Sequence, residues 1–140
     1  VIEDSIRHLL VADAAIIGRL GTYEFTTGTA TPAVFNYAPA PKGAACKLIT
    51  ISTVDAATWG TMDCRGGELI VDVQVWGNKD TSLVELAELA QDVWQLLDWS
   101  VLAVGGYEGW GVFCSPPVFL RDDNGFPGYN IETTARIMEP

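Results

Sequence analysis

Apolar and polar positions alternate along this chain in two rhythms that divide it into helical and extended stretches. From Ile2 to Leu20, apolar residues fall at Ile2, Ile6, Leu9, Leu10, Ile16, Ile17 and Leu20, close to helical spacing. Asp13 interrupts the run as a break between two short helices, and Gly21 stops it. The segment Lys47 to Val54 is β-branched and alternating, and so is Glu68 to Trp76. In the second, Leu69, Val71, Val73 and Val75 point to one face and Ile70, Asp72, Gln74 and Trp76 to the other, so the two segments are expected to pair as a hairpin.

The strongest helical signal follows. Ser82 and Glu85 have capping-box spacing, and Leu83, Leu86, Ala87, Ala90, Val93, Trp94 and Leu97 mark one face of an amphipathic helix. Beyond it, the stretch from Gly111 to Asp123 reads as a strand interrupted at Pro116 and Pro117, which belongs on an edge or at a bulge. Asn124-Gly125 signals a turn, and Tyr129, Ile131, Thr133, Ala135 and Ile137 then alternate toward one side, closing a second hairpin.

This pattern predicts a single α+β domain over residues 1–140 in two layers. A mainly antiparallel sheet of about four strands would carry the long amphipathic helix and a short N-terminal helical segment. Two stretches lack periodicity and are expected to project as loops, at about residues 22–46 and 55–67. The first is rich in Thr, Ala, Gly and Pro and has room for one strand near Ala33 to Tyr37.

Composition narrows the function. The 140 residues hold 8 Lys and Arg against 18 Asp and Glu, a formal charge of −10 with an isoelectric point near 4.2. Such a surface repels phosphate and argues against nucleic-acid binding, which draws on clustered basic residues. No long apolar run or signal-like leader is visible, so neither membrane insertion nor secretion is expected. Three widely spaced cysteines, Cys46, Cys64 and Cys114, suggest neither a disulfide framework nor a zinc site and are consistent with a reducing cytoplasm.

Candidate chemistry is sparse. His8 is the single histidine and reads as a solvated helix residue. The glycines at 105, 106, 109 and 111 lack the lysine and spacing of a phosphate-binding loop and read as a hinge or bulge. Asp122, Asp123 and Asn124 lack the evenly spaced ligands of a calcium loop, and Cys64 beside Arg65 is weak support for a reactive thiol. With no nucleophile elbow and no catalytic pair, an enzyme is not expected, and neither a cofactor nor a metal.

Four pieces of the chain resemble the tail-completion, or tail-terminator, proteins of long-tailed phages. They are the I-E-D-x-I-R-x-L-L-x-A-D-A start at Ile2 to Ala14, V-D-V-Q-V-W at Val71 to Trp76, the helix at Leu86 to Leu97, and the end from Leu120 to Met138. The resemblance implies a virion structural protein, assembled in the host cytoplasm and placed in the tail or neck. It further implies a homo-oligomeric ring, of six subunits in this family, that stops growth of the tail tube. The partners it implies are the tail tube protein and the head connector or stopper, with DNA passing through without specific binding. Against that frame, Phe25, Phe35, Tyr37 and Trp59 are the aromatics expected to make subunit or partner contacts. Other neck proteins and tube subunits remain alternatives, as does a small ligand-binding or enzymatic α+β domain.

Overall fold

The computed structural model describes residues 2–24, 30–36, 47–60, 65–78, 80–100, 108–122 and 125–138. In chain order the elements are α1 (Ile2–Val11), α2 (Ala14–Ile17), β1 (Thr22–Glu24), β2 (Ala30–Pro32), β3 (Val34–Phe35), β4 (Leu48–Gly60), β5 (Arg65–Trp76), α3 (Leu83–Leu97), β6 (Glu108–Cys114), β7 (Val118–Arg121) and β8 (Pro127–Met138). The class is α+β, as the periodicity predicts, but the strand count exceeds the expected four. The main sheet runs β3-β4-β5-β8-β6, with β7 also pairing with β8, and β1 and β2 form a separate two-stranded ladder.

The difference has identifiable sources. Pro116 and Pro117 split the interrupted segment into β6 and β7, and both lie along β8, because proline supplies no N–H to a ladder. Residues 22–36, expected to be mostly loop, contribute three short strands. They are held by tertiary stitching: the Gly21 N–H donates to the Lys47 carbonyl at 2.8 Å, Ala33 N–H to Gly21 at 2.9 Å, and Ile49 N–H to Ala33 at 2.9 Å. β3 pairs parallel with β4, while the rest of the main sheet is antiparallel. Of the segment expected to project at 55–67, residues 55–60 and 65–67 are regular strand, with Gly60 opposite Arg65.

α1 places Ile2, Ile6 and Leu10 four residues apart on its buried face, and Glu3 and Asp4 in its first turn suit the helix dipole. Asp13 does break the segment. Its Oδ1 accepts from the N–H groups of Ala15 and Ile16, capping α2. Ser82 occupies the N-cap of α3 without a side-chain hydrogen bond, so the expected capping box is not closed. The buried stripe of α3 is Leu86, Leu89, Ala90, Val93 and Leu97, whereas Leu83 is 48% exposed.

The helices pack on one face of the sheet. Val71, Val73 and Val75 of β5, Ile49 and Ile51 of β4, and Ile131 and Ala135 of β8 meet the α1 and α3 stripes in one core. Fully burying each large aliphatic side chain contributes about 1.5–3 kcal/mol, which makes this helix-to-sheet seam the main source of stability. A smaller apolar cluster of Ala33, Phe35 and Leu48 lies at one end of the sheet, with Trp76 packed against it. Among the described residues, no helix is long and apolar enough to cross a membrane.

Candidate assembly surface

Strand register fixes what the other face of the sheet presents. Pairings transverse to the strands align Thr50, Gln74, Asn130 and Val118 in one row. Ser52, Asp72 and Glu132 form the next, and Asp55, Ile70, Thr134 and Phe113 a third. Glu68 and Arg136 face each other in a fourth, joined by an ion pair of 3.2 Å. Hydroxyls, amides and carboxylates make up most of these rows, with Ile70, Phe113 and Val118 as apolar members. Asp72 and Glu132 stand directly opposite one another, an arrangement of like charge that disfavours the pair. Among the described residues, a weak contact of 3.4 Å from Asn130 Nδ2 to Asp72 partly offsets it.

The two edges of the sheet are unlike. Beyond Thr50, where β3 ends, no described strand pairs with the far side of β4 from Ile51 to Gly60. A bulge between Thr53 and Asp55 breaks its register, leaving Val54 60% exposed beside the exposed carboxylate of Asp55. A bulge on an edge strand discourages indiscriminate pairing. Thr53, although exposed, donates from Oγ1 to the buried Glu3 of α1.

At the opposite edge, the backbone of β6 is already engaged. Trp99 N–H donates to the Val112 carbonyl at 2.7 Å and Val112 N–H to Ser100 at 2.9 Å. Cys114 N–H donates to Asp98 Oδ1 at 3.0 Å, and its carbonyl accepts from the Trp94 indole at 3.1 Å. These bonds hold Trp99 at φ +63°, a left-handed conformation that costs a non-glycine residue about 1–3 kcal/mol. The strain presents its ring to solvent: Trp99 is 73% exposed and stacks edge-on against Phe113 with centroids 4.7 Å apart. The Arg136 guanidinium lies 5.8 Å from the Phe113 ring centroid.

Behind this edge, Cys114 is half-buried. Burial pushes its thiol up to about 11; the hydrogen bond to Thr133 pulls the other way and the nearby Asp98 adds to the rise. Below pH 9 the thiol is neutral in the folded and unfolded chain alike. Between pH 9 and 11 only the unfolded chain ionises, so stability falls with rising pH across that window, and Cys114→Ala is expected to flatten the fall. With Cys46 and Cys64 replaced by serine, Cys114 should react with a thiol reagent at pH 8 at least about tenfold more slowly in the folded protein than in denaturant. Equal rates would contradict the burial.

Of the four aromatics expected at contacts, Phe25 and Tyr37 lie outside the described residues, and the side chain of Trp59 does also, although its backbone belongs to β4. Phe35 is 7% exposed and packs within its own chain against the small cluster at the Trp76 end. Of the four, Phe35 alone has a side chain among the described residues. Among the described residues, the exposed aromatics include Trp99, Phe113 and Phe119. Trp99 was visible as an aromatic just past a helix end, but no sequence signal places tryptophan at positive φ. His8 is exposed on α1, and Gly109 and Gly111 flank a bulge in β6. Among the described residues no group of three His, Cys, Asp or Glu could hold a metal ion. A shallow groove of about 590 Å³ lies beside Leu83, Val84 and Ala87 on the solvent side of α3, bordered by the Arg19–Asp92 ion pair. Glu88 and Gln91 complete its described lining.

No family model matches the chain, and no curated protein matches its sequence. Solved structures do match its fold. A chain from the virion of a native gene transfer agent particle superposes with a TM-score of 0.76 over 98% of this chain and 94% of that one, at 16% identity. The likeness is one of fold, covering both layers and nearly every element of each molecule.

Proposed function

We propose that the protein is a structural virion subunit of the tail-terminator type, which assembles with copies of itself into a closed ring at the head-proximal end of a phage-like tail. In this reading its work is geometric and not catalytic. The observation that carries it is the end-to-end match of fold with a chain of a phage-like virion particle, together with the tail-completion resemblance of the sequence. The sheet supports it independently. Two edges that differ in kind suit a head-to-tail contact, which generates a ring when the rotation between neighbours closes.

The polar face also fits. Turned toward the bore, the row carrying Asp72 and Glu132 would repel the phosphates of passing DNA, so that the duplex moves through without adhering. The tail tube protein and the head connector or stopper would meet the two rims. Under this proposal, negative-stain images of the purified protein show isolated annuli of uniform diameter. Long tubes would assign it to the tube instead, and featureless monomeric particles would remove the ring altogether.

A further inference from the structure

The cross-sheet register carries an inference that rests on the ring reading and goes beyond it. Asp55, Ile70, Thr134 and Phe113 occupy one transverse row, which begins at the β4 bulge and ends under Trp99. Val54 and the Trp99–Phe113 pair, which with Val118 and Phe119 of β7 are exposed apolar features of the sheet margins, therefore sit at opposite ends of the same row. Three strand spacings, about 14 Å, separate those ends, so within one copy neither can cover the other. A neighbouring copy whose sheet lies alongside brings them to the same height.

We infer that the Trp99–Phe113 pair of one copy docks on the Val54–Asp55 bulge of the next, forming the repeating contact of the ring. The occupant is a second copy of this chain because each patch offers what the other lacks. One presents a large aromatic surface beside Arg136, whose guanidinium pairs with Glu68 through Nε and stays half exposed; the other presents an exposed aliphatic side chain next to an exposed carboxylate. The contact is made by side chains and not by strand addition, since the β6 backbone at Val112 and Cys114 is bonded to residues of its own chain. It also gives the strain at Trp99 a use: the left-handed backbone holds out an aromatic anchor in advance, so little ordering remains for assembly.

The test is native mass spectrometry of Trp99→Gly and Val54→Arg, alone and mixed, at a concentration where the unaltered protein is fully assembled. Glycine accepts the positive φ, so Trp99→Gly should melt no lower than the parent; Trp99→Asn, which also tolerates that conformation, replaces it if it does not fold. Each variant alone is expected to be monomeric. An equimolar mixture retains one intact interface per pair and should give a species of twice the subunit mass, without rings. A ring formed by either variant alone, or a mixture that stays monomeric, overturns the pairing. A monomeric parent protein would instead remove the ring reading on which the pairing stands.

Discussion

Val73→Asp should abolish folding. Val73 is fully buried at the centre of the sheet, between Ile51 of β4 and Ile131 of β8, and beneath the helices. An unpaired buried charge costs roughly 3–5 kcal/mol, and the lost aliphatic burial adds about 1.5–3 kcal/mol. Domains have only about 5–15 kcal/mol in hand. The circular-dichroism spectrum and the thermal transition should both be lost. Gln74→Asp, one residue along and on the polar face, should leave a cooperative transition within a few degrees of the parent's. Equal damage from the two substitutions would mean that the faces have been assigned wrongly.

The second large effect is expected at Gly128. It lies opposite Trp76, and a Cβ at this position would come within 2.6 Å of the indole. The neighbour is a tryptophan that also covers Leu48 and Phe35, so it cannot step aside without uncovering the smaller apolar cluster. Gly128→Val should therefore cost about 1–3 kcal/mol from overpacking, with further loss as the cluster opens. Urea denaturation would register this as a lower midpoint. Trp76→Ala combined with Gly128→Val should cost less than the sum of the two single changes, because the clash disappears with the ring. Strict additivity would contradict the contact.

The parts of the fold that could be read in the sequence are those where one face is buried along a whole element. β5 is the clearest: Val71, Val73 and Val75 alternate without exception and all are buried. α3 was legible as a helix, yet its buried stripe includes Leu89 and excludes Leu83, the first residue of the helix. Of the strands in residues 22–36, β3 falls where one was expected near Ala33 to Tyr37, but β1 and β2 were not legible. Two- and three-residue strands have no periodicity to display, and these exist because backbone groups of Gly21, Ala33 and Lys47 find partners distant in sequence.

The candidate surface was less legible still. Aromatics in irregular stretches drew attention to Phe35, but irregular sequence does not imply exposure, and Phe35 closes a small core. Trp99 runs against local preference, since a bulky residue at positive φ is disfavoured and is held there only by the bonds that follow α3. The alignment of Asp55 with Phe113 depends on the registers of three strand pairs and on the bulge after Thr53. None of those leaves a mark in composition or spacing.

Closure of identical copies into a ring is the claim on which the functional account stands, and the mass of the assembled protein across a concentration series tests it most directly. The account predicts one discrete oligomer whose mass stays constant as concentration rises, because a closed ring leaves no free margin for another copy. A broad, concentration-dependent distribution of masses, or a monomer at every concentration, would contradict it.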